Sequence, residues 1–433
     1  MSLKFGTDGV RAEALTVLTP HYVSALANAA AQVLGGGEWL IGRDTRESGP
    51  ALEAAVAAGL AATGALPVSV GVVPTPALAW LSAQRGVPAA MITASHNPWQ
   101  DNGVKFFAPG GVKLTDSVER AIESLLELDG ASPHAVVPSH SESLAGYVDH
   151  LASLGSSVSG LRIVLDCANG AMGVAAPAVF RALGADVVVI HDAPDGRNIN
   201  DRCGATHVDS LSAAVVAEAA SMGLAFDGDG DRVIAIDELG NVVDGDRLIA
   251  LAALQLRAEG RLHADTVVVT VMSNLGFHKA MAAAGINVLT TGVGDRYVLE
   301  ALDTHGHSVG GEQSGHIIYR DLATTGDGLL AGMRLAQFVH DGGHSLASLA
   351  GGVMTSYPQV LLNVKVRDRH PDAADEMAAE IAFAESSLLG DGRILVRASG
   401  TEPLIRVMVE AATESIAQSV AEDLATAVRT RFG

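Results

Sequence analysis

Cysteine is nearly absent from the chain: Cys167 and Cys203 are the two in 433 residues. Neither lies in a C-x-x-C pair, so no disulfide framework is indicated, and both read as thiols in a reducing cytoplasm. Basic residues are also scarce. Lys and Arg number 28 against 49 Asp and Glu, a formal charge of −21, which repels nucleic-acid phosphates and anionic membranes alike. A small anionic ligand would need cations gathered at one place. No secretory signal opens the chain, because residues 4–11 already read as a loop motif. Long apolar runs are missing too. Residues 54–84 carry no charge, but Gly64, Pro67, Pro74 and Pro76 cut them into pieces shorter than the roughly 20 residues a membrane span needs. Neither G-x-x-x-x-G-K-[ST] nor a G-x-G-x-x-G after a strand occurs, which argues against P-loop and dinucleotide enzymes.

What is present is a large apolar fraction, 48%, enough for several cores. At about 150 residues per domain the length suggests roughly three domains, with two or four compatible. Short apolar runs alternate with helical stretches: runs at 38–43, 67–73 and 89–93, then 161–166 and 186–191, then 265–271 and 287–290. This rhythm predicts α/β layers with largely parallel sheets. A strand–Asn–Gly–helix pattern at 161–170 resembles one at 265–276 and hints at a repeated module. The rhythm breaks around 139–161 and 353–359. The last segment differs in kind, with strands at 359–366, 394–396 and 405–409 flanked by helices at 370–388 and 413–432. We therefore expect domains at 1–150, 155–245, 246–356 and 357–433. The cut near Gly245 is the weakest, since a helix at 246–259 could join either neighbour.

Four loops carry chemistry. The first is Thr93-Ala94-Ser95-His96-Asn97-Pro98, followed by Asp101-Asn102-Gly103-Val104-Lys105. It places a serine at the carboxyl end of a strand, where open α/β sheets put their sites. Ser95 could be a nucleophile or phosphate carrier, although an Asn-Pro turn with a capping serine has the same letters. The second is Asp227-Gly228-Asp229-Gly230-Asp231-Arg232. Three carboxylates at alternate positions can converge on one hard cation, with glycines allowing a tight fold and Arg232 supplying a phosphate-binding charge. An EF-hand reading fails at position 6, which is Arg232 rather than glycine, and an aspartyl-phosphatase reading lacks downstream partners. In the third, Gly311-Glu312-Gln313-Ser314-Gly315-His316, the alternation of Glu312, Ser314 and His316 would put all three on one side of an extended segment. The fourth is Arg397-Ala398-Ser399-Gly400-Thr401-Glu402-Pro403, with Arg406. It offers hydroxyls, open backbone N–H groups and guanidinium forks, the parts of a phosphate cradle.

Together, in this order, the four loops resemble the α-D-phosphohexomutase superfamily. The resemblance extends from Phe5-Gly6-Thr7-Asp8-Gly9-Val10-Arg11 to Pro403. It is nearest to the branch that handles glucosamine phosphates, on the strength of GTDGVR at the start, Asn198-Ile199-Asn200 through Cys203-Gly204-Ala205-Thr206-His207, Gly294-Asp295-Arg296-Tyr297, the GEQSGH form of the third loop and Thr325-Gly326-Asp327-Gly328. The resemblance implies an isomerase with four domains around a central cleft, three related α/β domains with mixed sheets and a smaller C-terminal α+β domain. It implies a phosphorylated Ser95, and magnesium on Asp227, Asp229, Asp231 and an oxygen of the Ser95 phosphate. Arg11, His96, Lys105 and Arg232 would line the transfer site, with Lys105 and His96 both open as general base. Glu312, Ser314 and His316 would read the sugar, and Arg397, Ser399, Gly400, Thr401 and Arg406 would hold the non-reacting phosphate.

The implied reaction interconverts glucosamine 6-phosphate and glucosamine 1-phosphate through glucosamine 1,6-bisphosphate, supplying UDP-N-acetylglucosamine and cell-wall precursors. Phosphoglucomutase or phosphomannomutase activity and a non-catalytic sugar-phosphate sensor are the alternatives. The resemblance implies no nucleic-acid or membrane partner, and it allows a homodimer. One departure is Ala12, where the family usually has glycine; alanine would be strained if the position required positive φ.

Overall fold

The computed structural model describes residues 3–6, 9–128, 143–399 and 403–433. The chain divides into two compact units, one of residues 1–272 and 286–352 and one of residues 273–285 and 353–433.

The first unit holds three sheets. In the first, the spatial order is Val10–Glu13, Asp101–Ala108, Ala89–Ile92, Glu38–Arg43 and Leu66–Val72, with Val112–Lys113 added beside Asp101–Ala108. Glu38–Arg43 pairs in parallel with both neighbours, whereas Asp101–Ala108 runs antiparallel. The second sheet has the order Val242–Val243, Val233–Asp237, Met222–Phe226, Arg162–Asp166, Asp186–Ile190. The third has the order Asn287–Thr291, Thr266–Thr270, Val309–Gly311, Ile317–Tyr319. In both, the first strand in sequence is central and parallel to its neighbours, and the last hairpin is antiparallel. The expected parallel core is therefore present in each sheet, closed on one side by an antiparallel hairpin. The repeat hinted at by two sequence blocks extends to all three sheets.

The central strands explain why the sequence showed unbroken apolar runs rather than alternation. Ala89–Ile92, Met222–Phe226 and Thr266–Thr270 are buried at every position, as strands covered on both faces require. Helices Pro20–Leu34 and Gly49–Ala62 cover the first sheet, meeting through small residues such as Gly59, whose α-carbon lies so close to the Ser24 carbonyl that a Cβ would fall 2.0 Å from that oxygen. Within the stretch expected to break the rhythm there is a helix, Ser143–Leu154. It docks by burying Tyr147 and Leu151, and the His150 ring stacks 5.3 Å from that of Trp80.

The second unit is an antiparallel sheet in the order Gln359–Lys365, Leu404–Ala411, Gly392–Ala398, packed on helix Glu414–Phe432. Thr413 caps that helix by accepting a hydrogen bond from Ile416 N. The helix expected over 370–388 is two, Ala373–Glu376 and Ala378–Ser387, interrupted at Met377. Segment 273–285, which includes helix Leu275–Ala283, belongs to this unit. Its start is held by Glu410 Oε2, which accepts from Leu275 N at 2.9 Å, and by Asn274, which exchanges hydrogen bonds with the Tyr357 backbone.

Candidate active site

Three of the four candidate loops occupy the same place in three successive sheets. Each joins the last parallel strand of its sheet to the antiparallel strand after it. The serine turn follows Ala89–Ile92, the aspartate turn follows Met222–Phe226, and the Glu312 turn follows Val309–Gly311. Position in the module, rather than local composition, is what they share.

Ser95 is buried, with φ at +53°. This conformation is sparsely populated by non-glycine residues and persists only where its surroundings enforce it. Ser95 N donates to Thr93 Oγ1 at 2.9 Å, and that hydroxyl donates to Asp44 Oδ2 at 2.7 Å. Arg46, 1% exposed, lies beneath the turn. Its Nε donates to Asp44 Oδ2 at 2.9 Å, and its other nitrogens donate to the carbonyls of Ser95 and Asn97 at 2.9 Å, of Asp101 at 3.0 Å, and of Pro98. At the turn's outer end the Arg197 guanidinium sits 5.1 Å from the centroid of the Trp99 ring.

The aspartate turn meets this serine directly. Ser95 Oγ donates to Asp227 Oδ2 at 2.6 Å, and His96 Nδ1 lies 3.3 Å from the same hydroxyl. One carboxylate oxygen from each of Asp227, Asp229 and Asp231 lies within 4.8 Å of the others, and all three residues are buried. Lys105, delivered by strand Asp101–Ala108, donates to Asp229 Oδ2 at 3.0 Å and Asp231 Oδ2 at 3.2 Å. Thr75 Oγ1 donates to Asp229 Oδ2 at 2.6 Å. The other oxygen, Asp229 Oδ1, is buried and accepts no hydrogen bond among the described residues. Clustered hard oxygen donors, two of them (Asp229 Oδ1 and Asp231 Oδ1) buried without a hydrogen-bond donor among the described residues, fit a divalent cation such as magnesium. The flanking segments are paired antiparallel strands rather than helices, so the EF-hand reading is excluded.

Glycine is indispensable at one place here. A Cβ on Gly228 would stand 2.7 Å from the Ser95 carbonyl oxygen and 2.7 Å from Ile199 Cδ1. Close approach of the two turns therefore requires its absence.

The electrostatics follow from this crowding. Burial, together with the charges of Asp231 and Asp229, pushes the Asp227 carboxyl well above its ordinary range. Burial also opposes ionisation of Asp231, but Lys105, His316 and Arg232 hold it well below. His96 is lowered to about 4, first by burial and then by the charges of Arg232 and Arg11. The charges of Arg11 and Arg232 thus both act on His96.

Two expectations change. The segment Glu312–His316 is not extended: Gly315, at φ +90°, donates to the Glu312 carbonyl at 3.0 Å, and Glu312 N donates to the His316 carbonyl at 3.0 Å. The tight turn separates the three side chains. Ser314 is exposed and Glu312 half-buried, with Oε1 accepting from Gly294 N at 3.1 Å. His316 is 2% exposed, its ring between Asp231 Oδ1 at 3.6 Å and Asp295 Oδ2 at 3.3 Å. Burial works against its protonation, yet those two carboxylates raise it above the ordinary imidazole value. Ala12 lies in strand Val10–Glu13 opposite Asn102, outside the positive-φ region, so alanine is unstrained there.

Profiles of the phosphoglucomutase/phosphomannomutase family match the chain in order. Alpha/beta/alpha domain I matches residues 2–131, domain II residues 145–240, domain III residues 244–357 and the C-terminal domain residues 361–427. The chain belongs to the phosphoglucomutase/phosphomannomutase family. A phosphoglucosamine mutase from Frankia casuarinae is 51% identical over 98% of both chains. Among solved structures of this family, a phosphoglucomutase/phosphomannomutase family protein from Burkholderia thailandensis superposes with a TM-score of 0.80 at 23% identity, covering 98% of this chain and 96% of that one. An Aspergillus fumigatus N-acetylphosphoglucosamine mutase, in complex with GlcNAc-6P and magnesium, gives 0.74 at 21%, covering 100% and 96%. Among the described residues no helix is long and apolar enough to cross a membrane.

The fourth loop of this phosphohexomutase lies in the second unit. Arg397 and Arg406 are directly opposite on paired strands. Burial and the neighbouring Arg406 charge lower Arg397 from its ordinary value, and Arg406 Nε is buried without a hydrogen-bond acceptor among the described residues. Two facing guanidinium groups suit an anion. Ser399 is buried at the end of its strand; Gly400 and Thr401 lie outside the described residues.

Sequence reasoning missed Asp44, Arg46 and Thr75, and it noted Asn200 only for the resemblance, without a role at the site. They contact the reactive turns from 49 to 154 residues away, and only the topology reveals them. The GDRY motif, noted for its spelling, also acquires a place. Asp295 pairs with Lys113, and Arg296 pairs with Asp116 and, at 2.7 Å, Glu119.

Proposed function

We propose that the chain interconverts glucosamine 6-phosphate and glucosamine 1-phosphate, with Ser95 as a reversible phosphate carrier. The observation carrying this reading is the 2.6 Å hydrogen bond from Ser95 Oγ to Asp227, within a cluster of three buried aspartates. A hydrolytic serine would need a base, not a carboxylate cluster suited to a metal. The relatives about half identical over the full chain support the amino sugar as substrate.

In the first step the substrate's 1-hydroxyl oxygen attacks phosphorus on Ser95. The O1–P bond forms, the Oγ–P bond breaks, and the hydroxyl proton passes to Lys105 or His96. The resulting glucosamine 1,6-bisphosphate turns end for end. Ser95 Oγ then takes the phosphoryl group from O6, the O6–P bond breaks, and a proton returns to O6. Such transfers depend on alignment and charge neutralisation more than on covalent chemistry.

Arg11, Arg232 and Lys105 supply fixed positive charge around the reacting group. Magnesium, held by Asp227, Asp229, Asp231 and an oxygen of the Ser95 phosphate, would withdraw charge from the transferring phosphoryl group. Glu312 and Ser314 contact the sugar, whereas the buried His316 orients the Asp231 carboxylate from behind. Arg397, Ser399, Gly400, Thr401 and Arg406 bind the phosphate that is not reacting. The enzyme works in the cytoplasm and serves cell-wall precursor synthesis, a reading that allows a homodimer.

Intact-mass analysis tests the carrier. The parent should gain one phosphoryl group from a hexose 1,6-bisphosphate, and Ser95→Ala should gain none and lose turnover. A fully active Ser95→Ala would end the covalent scheme. Comparing kcat/KM for glucosamine, glucose and mannose 6-phosphates tests the sugar. A preference for glucose or mannose would move the assignment to the sister activities.

A further inference from the structure

Two residues of the second sheet reach Ser95, and they grip opposite ends of it. Asp227 takes the hydroxyl. Asn200, 7% exposed, takes the backbone: its Nδ2 donates to the Ser95 carbonyl at 2.9 Å and to the Asn97 carbonyl at 3.1 Å. Arg46 Nη2 donates to the same two carbonyls. Each oxygen thus receives two donors, which uses both its lone pairs and leaves the peptide plane no freedom to rotate. Arg46 belongs to the same sheet as Ser95 and can fix the turn only within that sheet. Asn200 ties it to the sheet that carries the aspartates.

Asn200 is itself held in an improbable conformation. Its φ is +57°, and four other non-glycine residues around it share the left-handed region: Ala168 at +54°, Asn169 at +49°, His191 at +51° and Arg202 at +53°. The segments are laced together. Asn200 N donates to the Ala168 carbonyl at 3.0 Å, Asn169 N to the His191 carbonyl at 2.7 Å, and Thr45 Oγ1, from the loop bearing Arg46, to the Asn169 carbonyl at 2.7 Å. Strain concentrated in this way is retained where the geometry it enforces is used. Asparagine suits the position because it tolerates positive φ and offers two N–H donors.

We propose that Asn200 is a positioning residue for phosphoryl transfer, registering the Ser95 turn against the aspartate cluster. The inference rests on Ser95 being the carrier. Its role is in alignment, so removing it should reduce kcat and leave substrate binding intact.

Two variants test this. Asn200→Gly removes the amide without backbone strain. Asn200→Asp keeps the shape and the tolerance of positive φ, but turns a carboxylate towards two carbonyls. Both should lower kcat for glucosamine 6-phosphate by about tenfold or more with KM changed less than about twofold, since small misplacements of reacting groups act on the chemical step. Both should accept a phosphoryl group from a hexose 1,6-bisphosphate more slowly than the parent, as followed by intact mass. The thermal midpoint and folded fraction are measured alongside. Parent-like kcat in folded variants, or a loss of kcat that merely tracks the folded fraction, overturns the positioning role while leaving the carrier intact. Absence of any phosphoryl group on parental Ser95 overturns the carrier reading and this inference with it.

Discussion

At the scale of single residues, the site shows how one carboxylate oxygen can be separated from its neighbour in function. Asp229 Oδ2 accepts from Thr75 and Lys105, while Oδ1 is buried and unbonded. Asp229→Asn can keep its carbonyl oxygen on Thr75 and Lys105 and lose only a ligand. We expect it to fold normally and lose turnover. Magnesium at about 100 times its dissociation constant should stabilise the parent by about 2.7 kcal/mol and shift the variant's melting midpoint far less, which differential scanning fluorimetry would read. A second residue gives a pH prediction. Asp327 caps helix Gly328–Gly342 by accepting from Leu330 N and accepts from the Tyr147 hydroxyl at 2.7 Å. Burial raises it to about 6. Its folded value exceeds the unfolded one, so the folded state binds the extra proton, and stability is lost as pH rises through the interval from about 4 to 6. Asp327→Asn preserves the cap and removes the ionisation. The variant's melting midpoint should match the parent's near pH 4 and exceed it at pH 8. What the sequence revealed at this scale was whatever is contiguous. The three aspartates announce themselves by spacing, and Ser95 draws its role from the four loops taken together. The roles of Arg46 and Asn200 show in neither way, because their partners are 49 and 105 residues away. His316 misled because alternation implies one face only if the backbone is extended, and Gly315 folds it instead.

At the scale of elements, the reactive turns are made precise by how closely they approach. Gly228→Ala would drive a methyl group into the Ser95 carbonyl and Ile199, with neither able to retreat easily: the first is held by Arg46 and Asn200, the second is buried. We expect kcat to fall by about tenfold or more, together with a loss of roughly 1–3 kcal/mol of stability from overpacking, measured by steady-state kinetics and urea titration. The buried parallel strands were legible because a strand covered on both faces must be apolar throughout. The antiparallel strand Asp101–Ala108 was not, since its first five residues, Asp-Asn-Gly-Val-Lys, are polar or glycine apart from one valine and read as loop. They are polar because that strand delivers Lys105 to the aspartates. The helix expected at 370–388 was drawn too long because composition does not show the break at Met377.

At the scale of the whole molecule, the three sheets use one connection for three tasks. A turn leaving the last parallel strand carries Ser95 in one sheet, the three aspartates in the next, and Glu312 in the third. Two blocks of sequence hinted at the module, but they lie after the first strands of the second and third sheets and not at these turns, so only strand order exposes the equivalence. The tryptophans have a different distribution. Of the three in the chain, Trp39 is sealed in the core of the first sheet and Trp80 stacks on His150. Only Trp99 lies in the Ser95 turn, under the Arg197 guanidinium. The molecule therefore contains its own optical reporter. In a Trp80→Phe background, with Trp39 shielded from solvent, emission should change in step with gain and loss of the phosphoryl group. A stopped-flow trace of that signal would time the half-reactions in unlabelled enzyme, and an emission spectrum indifferent to phosphorylation would show that the turn does not move with its cargo.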